Sequence, residues 1–465
     1  MLEPVAVPFL VFVALVVACG FLLVLRPYWR RRRERREREA FDVGPANLAI
    51  RLRPFQLLRP AAAVSLLMAD RKVQEAVAAR AAETATGRSA AAAEARRYAR
   101  EIVPALRAGF YSRMVQGPIR EILFRLFRVQ VRHTDESALP ALSVGTTPVF
   151  VMNHRSNFDY VIAAVALRHR VIPSFAVGEW ARYWPLEPFL RALGGYFVRR
   201  NSNNPLYRAV LASYVGHATR LRVPQAFFVE GRLSSNGTMG KPRLGLLDYA
   251  VRALTPDEPR DIAFIPAALN YDRVIEDKNL QFFKARGWTP TRFRSWRASS
   301  SFLVHQLWLR LSRRWRPFGG ATLVLGKPIG LRAWLAAQGI DSPEVTRGKR
   351  FDAVRQLADQ LMGEIADLMP VLPVPLMASV VRDAPSPGIT AQEARAAAFR
   401  VLEKLTARRG APDIPRADWG EAVEFGVRLL MQRRMVGAAD GRLRILDARR
   451  PLLEYYANSI AHLVG

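Results

Sequence analysis

The stretch TPVFVMNHRSNFD, residues 147–159, decides the fold that this sequence predicts. Its apolar, partly β-branched beginning is typical of a buried strand, and the apolar residues 160–167 that follow predict a buried helix. His154 and Asp159 therefore lie in a turn between a strand and a helix. On a straight helix, two residues five positions apart point about 140° away from each other, so these side chains can meet only where the backbone bends.

The chemistry of this turn has two interpretations. If Asp159 fixes one nitrogen of the His154 ring, the other nitrogen is free to take a proton from an alcohol, which makes the histidine a general base. Alternatively, Asp159 caps the helix that begins near Tyr160, and His154 satisfies a buried backbone group. The turn by itself leaves both interpretations open.

Outward from this turn, strands and helices alternate along the chain. The short β-branched runs occupy residues 148–152, 171–177, 195–198, 225–229, 262–267 and 321–325. This alternation predicts an α/β fold over residues 130–331, with a central sheet flanked by helices. Residues 332–465 predict a C-terminal helical domain, with a hairpin at Asp440-Gly441 between two short apolar runs.

The N-terminal part of the chain predicts a membrane anchor. Residues 5–25 carry no charge, and this span matches the ~20 residues that a helix needs to cross a hydrocarbon core. Because the basic block 30–33 follows, the positive-inside rule places the rest of the chain in the cytoplasm. We therefore predict a transmembrane anchor in residues 1–26, a basic and helical region in residues 27–129, and a single-pass protein of the inner membrane. A cleaved signal peptide is the alternative, but the basic segment that would precede it is missing.

The composition of the chain limits the kinds of molecule that it is expected to bind. The 465 residues carry a formal net charge of +30, which suits nucleic acid, or an anionic membrane surface together with phosphorylated substrates. No nucleic-acid-binding motif appears, so we expect no nucleic acid partner. The one cysteine excludes a disulfide framework and a thiolate metal site. Because ligand-spaced cysteine and histidine residues are missing as well, we predict no metal and no cofactor.

A second cluster, GGYFVRR at residues 194–200, is a strand that ends in two arginines. Because side chains alternate along a strand, one of Arg199 and Arg200 can face a pocket and bind a phosphate bidentately while the other faces away. A solvated strand end is the plainer interpretation of either arginine taken singly.

A third cluster, FFVEGRLSSNG at residues 227–237, joins an apolar strand to a loop rich in glycine, serine and asparagine. Such loops expose backbone N–H groups that bind anions, and Lys241 follows nearby. An ordinary connecting loop is the alternative. The fourth cluster, FIPAALNYD at residues 264–272, predicts a strand along an apolar wall, with polar residues that cap the strand rather than act.

In their order and chemistry, the four clusters resemble the sequence blocks of the glycerolipid acyltransferase superfamily, and most closely the membrane-bound glycerol-3-phosphate acyltransferases. The resemblance covers roughly residue 98 to the C-terminus. It implies that His154 and Asp159 are catalytic. It also implies that a larger set of residues binds the substrate: Arg155, Arg199, Arg200, Glu230, Gly231, Ser234 and Lys241.

The resemblance implies acyl transfer from acyl-CoA or acyl-carrier protein to the sn-1 hydroxyl of glycerol 3-phosphate, beside anionic membrane lipids. One departure bears on the acceptor: the family continues its third block with a second glycine and then an arginine, where this chain has Arg232 and Leu233. A lysophosphatidate acyltransferase that uses the same histidine and aspartate is therefore kept as an alternative. The alternative of another class is a non-catalytic, membrane-tethered binder of anionic lipid or nucleic acid.

Overall fold

The computed structural model describes most of the chain, namely residues 53–84, 87–142, 145–200, 202–254, 260–277, 318–340, 347–410 and 413–464. The predicted membrane anchor at residues 5–25 lies outside these ranges. Among the helices that the structure describes, none is both long and apolar enough to cross a membrane.

An eight-stranded sheet forms the centre of the described chain. Its strands are β1 (Arg128–His133), β2 (Thr147–Met152), β3 (Ser174–Gly178), β4 (Gly195–Val198), β5 (Gln225–Phe228), β6 (Ile262–Tyr271), β7 (Gly320–Leu325) and β8 (Ile329–Gly330). The order is β1-β7-β6-β2-β5-β3-β4, and β8 also pairs with β6. Strands β2 to β6 run parallel to one another, whereas β1, β7 and β8 run the opposite way. The predicted α/β class with a central sheet is confirmed.

The predicted strands of the central sheet all lie within a few residues of observed ones, and two strands of this sheet were not predicted. β8 has only two residues, and β1 alternates arginine, glutamine and histidine with valine, so neither forms a continuous apolar run. By contrast, β2 is buried at all six positions between β5 and β6, which explains its uninterrupted apolar sequence.

Pro266 lies inside the long central strand β6, where a missing N–H group is unusual. On one side of β6, β8 pairs with residues 263–264 and β7 pairs with residues 267–271. Pro266 falls in the gap between these two partners, and its carbonyl accepts a hydrogen bond from the backbone N–H of Gly326. The proline therefore interrupts no hydrogen bond of the ladder.

Seventeen α-helices surround the sheet in the described ranges. In chain order they are α1 (Pro54–Leu57), α2 (Pro60–Ala69), α3 (Arg71–Thr84), α4 (Gly87–Ile102), α5 (Ala108–Met114), α6 (Arg120–Leu126), α7 (Asp159–Leu167), α8 (Leu186–Ala192), α9 (Pro205–Arg220), α10 (Leu244–Val251), α11 (Leu331–Ala337), α12 (Arg347–Asp367), α13 (Pro373–Arg382), α14 (Ala391–Arg409), α15 (Trp419–Gln432), α16 (Arg450–Asn458) and α17 (Ala461–Val464).

The two faces of the sheet are covered by different groups of helices. Val149 and Val151 of β2 pack in one hydrophobic core with α2 to α4, α9, α10, α11 and α12. Phe150 and Met152 point the opposite way, into a second core that α7 shares with the C-terminal helices. Successive side chains of β2 point to opposite faces of the sheet, and each face is covered by its own group of helices.

The C-terminal region contains helices α13 to α17 and a small three-stranded sheet. Its strands are β9 (Ile389–Thr390), β10 (Val436–Ala439) and β11 (Arg442–Ile445), in the order β10-β11-β9. The predicted hairpin is confirmed, because Asp440 and Gly441 both have positive φ between the antiparallel β10 and β11. The C-terminal helices and the central sheet share one continuous core, from Tyr111 to Leu463.

The topology brings the four sequence clusters to one edge of the sheet. Strands β2, β4, β5 and β6 are parallel, so their carboxyl ends meet at the same edge, which is where open α/β sheets bind ligands. Each cluster includes one of these ends.

Candidate active site

His154 and Asp159 form a hydrogen-bonded pair at this edge. Nδ1 of His154 lies 2.9 Å from Oδ2 of Asp159, and the turn after β2 supplies the bend that brings them together. The Asp159 side chain is fully buried, and 8% of the His154 side chain is exposed. In the described part of the chain, Nε2 of His154 has no hydrogen-bond partner. The ring can therefore donate from Nδ1 and accept a proton at Nε2.

Asp159 is held by four donors rather than acting as a helix cap. Its Oδ2 accepts the backbone N–H groups of Arg155 at 2.7 Å and Ser156 at 2.9 Å, in addition to the histidine. The hydroxyl of Tyr271 donates to the other oxygen, Oδ1. Asp159 is itself the first residue of α7, so it closes the turn behind it. Such bonding keeps the carboxylate oriented toward the imidazole.

The His154 ring is fixed from a second direction by the strand next to β2. It stacks on the ring of Phe228 at the end of β5, with centroids 3.8 Å apart and planes 6° apart. The backbone N–H of His154 donates to Oε1 of Glu230 at 3.0 Å, and its carbonyl accepts from the N–H of Ser234 at 2.9 Å. The third cluster therefore supports the histidine.

Glu230 and Ser234, which the resemblance assigns to substrate binding, make internal contacts in this structure. The second carboxylate oxygen of Glu230 accepts from the N–H of Gly240 at 2.6 Å, so both oxygens bond backbone groups. The hydroxyl of Ser234 donates to the carbonyl of Thr238 at 2.7 Å and accepts from the N–H of Gly237 at 3.0 Å. Both side chains shape the loop.

The two adjacent arginines after β4 have different surroundings. Arg199 binds both carboxylate oxygens of the buried Glu101, at 2.7 and 2.6 Å, and this bond raises the pKa of Arg199. Arg200 points elsewhere and makes no hydrogen bond or ion pair within the described ranges. Partial desolvation in the cleft wall lowers the pKa of Arg200; the carboxylate of Glu179 opposes this shift, and the like charge of Arg232 adds to it. Of the two, Arg200 is the one available to an anion.

Four further residues of interest lie around the loop that follows Glu230. Gly231 has φ of +67°, and a Cβ placed there would lie 3.1 Å from the Arg243 side chain. Arg232, Lys241 and Arg243 are exposed. Among the described residues, no partner binds the charged groups of these three side chains. Arg200, Arg232 and Arg243 line the same cleft, which makes them a cationic group beside Phe228.

Arg155 differs from the expectation that it binds substrate. Its side chain is buried, with 2% exposed, and its guanidinium donates to the carbonyl of Gly237 and to that of Ser459 at 3.3 Å. Asn458 continues this contact, because its Nδ2 donates to the carbonyl of Asn236 at 3.0 Å. The arginine therefore connects the catalytic turn to the end of helix α16.

Two residues of the site, Tyr271 and Glu276, are not predicted from the sequence. Tyr271 ends β6 in the fourth cluster and bonds Asp159. Glu276 accepts from the hydroxyl of Ser156 at 2.8 Å and from the N–H of Asn157 at 3.1 Å. Desolvation raises the pKa of Glu276 to about 7. The sequence of the fourth cluster predicts an apolar wall with polar residues that cap the strand. The cluster reaches Asp159 because β6 lies next to β2.

A large cleft opens beside this site, with a volume of about 1420 Å³. Phe228 and Glu230, which contact His154, line one part of it. Its wall contains ten arginine and lysine residues against three carboxylates, a formal surplus of +7. No group of residues in the described ranges is arranged to hold a metal ion.

Two family models of known proteins match this chain and indicate the class of the site. Residues 130–270, which hold all four clusters apart from the end of the fourth, match the family model described as Acyltransferase. Residues 307–464 match a second model, described as the glycerol-3-phosphate acyltransferase C-terminal region. Both regions of the chain are therefore similar to acyltransferases, as the four clusters predict.

Individual relatives agree with the family models. A glycerol-3-phosphate acyltransferase of Pseudoalteromonas atlantica is 26% identical over 388 residues, which are 80% of this chain and 46% of that protein. One of Pseudomonas putida is 27% identical over 353 residues, 72% of this chain and 40% of that protein. The chain thus spans less than half the length of these curated relatives. The crystal structure of the 1-acyl-sn-glycerophosphate (LPA) acyltransferase PlsC from Thermotoga maritima matches 55% of this chain and 79% of its own, with 15% identity and a TM-score of 0.29.

Proposed function

We propose that this chain transfers a fatty acyl group from a thioester donor to the sn-1 hydroxyl of glycerol 3-phosphate. The observation that carries the proposal is the 2.9 Å contact between Nδ1 of His154 and Asp159, which leaves Nε2 available, while Phe228 and Glu230, which contact His154, line a cationic cleft. The family supports the reaction class, and the relatives' names support the acceptor.

The reaction follows from the pair. Nε2 of His154 takes the proton of the acceptor hydroxyl as the oxygen attacks the thioester carbon. Asp159 orients the ring and stabilises the imidazolium that forms. When the tetrahedral intermediate collapses, the carbon–sulfur bond breaks, and the imidazolium returns its proton to the leaving thiolate. The substrate's own alcohol is the nucleophile, so no covalent enzyme intermediate is needed.

For the acceptor phosphate we propose Arg200, Arg232 and Arg243, with Lys241 at the rim. A guanidinium binds phosphate bidentately, and none of these three side chains forms a hydrogen bond or an ion pair among the described residues. In this proposal Arg232 takes the part of the arginine that the family places one position later. The backbone at Gly231 remains a candidate contact, whereas Arg199, Glu230, Ser234 and Arg155 support the site.

We also propose that the protein works at the cytoplasmic face of the inner membrane, held by the anchor predicted in residues 5–25. The uncharged span and the basic block after it support this location. Anionic lipids would attract the net charge of +30.

The test is an acyl transfer assay with the full chain. Decanoyl-CoA and decanoyl-acyl-carrier protein are each supplied as labelled donors, against glycerol 3-phosphate, dihydroxyacetone phosphate and lysophosphatidate in parallel. We expect the highest kcat/KM with glycerol 3-phosphate. A preference for lysophosphatidate would make that molecule the acceptor in place of glycerol 3-phosphate. If folded protein transfers the acyl group to none of the three acceptors, the enzymatic proposal is refuted.

A further inference from the structure

The cleft is longer and more cationic than glycerol 3-phosphate needs. It follows helix α9 from Pro205 to Arg220, and 16 residues at 1.5 Å per residue span about 24 Å. Its volume of about 1420 Å³ also exceeds the ~300–1,000 Å³ of ordinary small-molecule sites. A three-carbon phosphate beside His154 can occupy only one end of this space.

The charges continue to the far end of the cleft. At the catalytic end lie Arg200 and Arg232, and at the other end lie Lys72 and Arg220. Glu101 neutralises Arg199, and Glu75 pairs with Arg71, which reduces the formal surplus of +7 to +5. This remainder still exceeds the two positive charges that balance one phosphate dianion. A second ligand that carries several phosphates would balance the remaining charge.

Contacts between the start of α3 and helix α9 fix the residues at the far end of the cleft. Asp70 accepts from the hydroxyl of Ser213 at 2.8 Å and lies 3.2 Å from Nε2 of His217, which ties the start of α3 to α9. Lys72 follows at the N-terminal turn of α3, and its backbone N–H donates to Asp70 at 2.8 Å. Lys72 is exposed, and neither its ammonium nor the Arg220 guanidinium makes a hydrogen bond within the described ranges.

We propose that the far end of the cleft binds the phosphorylated nucleotide of an acyl-CoA donor, with Lys72 and Arg220 as phosphate contacts. This inference rests on the proposed acyl transfer. Coenzyme A carries a diphosphate and a 3′-phosphate at one end of an extended arm and the thioester at the other. The cleft matches that shape, because its cationic far end lies about the length of α9 away from the end at Arg200, next to the start of that helix. The nucleotide therefore selects acyl-CoA over donors that lack it.

The experiment compares two donors that differ only in the nucleotide. Decanoyl-CoA and S-decanoyl-pantetheine present the same thioester, but the second has no phosphate. The double variant Lys72→Ala/Arg220→Ala should raise the KM for decanoyl-CoA about tenfold or more and leave the KM for S-decanoyl-pantetheine unchanged. Lys404→Ala, an exposed lysine on α14 outside the cleft, is the matched control and should change neither KM.

Direct binding of CoA separates this inference from the proposed function. Calorimetry with CoA alone should give a Kd that rises by a similar factor in the double variant, and that rises with salt in the wild type. If no donor supports transfer, the proposed function fails, yet weakened CoA binding in the variant still supports the nucleotide site. The nucleotide site would be overturned if the double variant raised the KM for both donors equally, or if its Kd for CoA were unchanged. Transfer from acyl-carrier protein with no measurable CoA binding would overturn it as well.

Discussion

Tyr271 donates its hydroxyl to the one oxygen of Asp159 that His154 does not use. The tyrosine ends β6 and the histidine follows β2, so the contact exists because these strands are neighbours. Burial and the Asp159 carboxylate raise the pKa of Tyr271 well above its ordinary value, which keeps the hydroxyl protonated as a donor. Asp159 is thus held on both oxygens, and each support can be removed separately.

Replacing Tyr271 by phenylalanine should slow the reaction without changing substrate binding. A hydrogen bond to a charged group contributes about 1.5–3 kcal/mol, and we expect kcat to fall about 10- to 100-fold. The KM for glycerol 3-phosphate should stay within twofold, because the tyrosine does not reach the cleft. Steady-state kinetics measures both values, and a wild-type kcat in Tyr271→Phe would show that Asp159 needs no such support.

Removing the base itself should have the largest effect. His154→Ala should lower kcat about 10²- to 10⁴-fold, and Asp159→Asn should lower it by at least about 10²-fold, because the ring loses its orienting acceptor. Single-turnover transfer of a labelled acyl group measures the chemical step directly. Unfolding midpoints near that of the wild type are the control, and full activity in His154→Ala would exclude the general-base mechanism.

The neighbouring arginines after β4 should respond differently to the same substitution. Arg200→Ala should raise the KM for glycerol 3-phosphate about tenfold with little change in kcat, as expected when uniform binding is lost. Arg199→Ala should instead lower the free energy of unfolding by about 1–3 kcal/mol, because it leaves Glu101 with fewer partners. Both variants are titrated with glycerol 3-phosphate and unfolded with denaturant. A raised KM in Arg199→Ala together with a lowered free energy of unfolding in Arg200→Ala would contradict the roles given to the two arginines.

Arg155 should behave as a positioning residue. A lysine in its place cannot bond both the Gly237 and Ser459 carbonyls, so Arg155→Lys should lower kcat about tenfold and leave the acceptor KM within twofold. Asn458→Ala removes the adjacent bond to Asn236 from the other side of the contact and should lower kcat in the same direction. A raised acceptor KM with normal kcat would instead favour the substrate-binding role that the resemblance implies.

Glu276 should make stability depend on pH. Its pKa is about 7, above the ordinary value of 4.5, so the folded state holds this proton more tightly than the unfolded state. The associated stability is present below about pH 4.5 and is lost as pH rises through about 7. Glu276→Gln should therefore flatten the fall in Tm between pH 5 and pH 8. Calorimetric scans across that range provide the measurement, and an unchanged slope would contradict the assigned pKa.

The sequence predicted the α/β class and most strands because those features depend on local patterns. Buried parallel strands are continuous apolar runs, as in β2, and a hairpin needs residues that accept positive φ, as at Asp440-Gly441. Strand β1 escaped prediction because it alternates polar residues with valine on an edge of the sheet. Such a run has no distinctive local signal.

By itself, the sequence determined that His154 and Asp159 share a turn between a strand and a helix, since five residues of spacing and an apolar run fix that. It also determined the order of the four clusters, in which the chain resembles the glycerolipid acyltransferases. Only the tertiary structure decided which of Arg199 and Arg200 is available to an anion. Glu101 binds Arg199 from 98 residues away in the sequence, which leaves Arg200 available. The contacts of Asp159 with Tyr271 and of Arg155 with Ser459 were likewise decided by strand order and by the packing of the C-terminal helices. Contacts between residues so distant in sequence leave no periodic pattern, so folding alone brings them together.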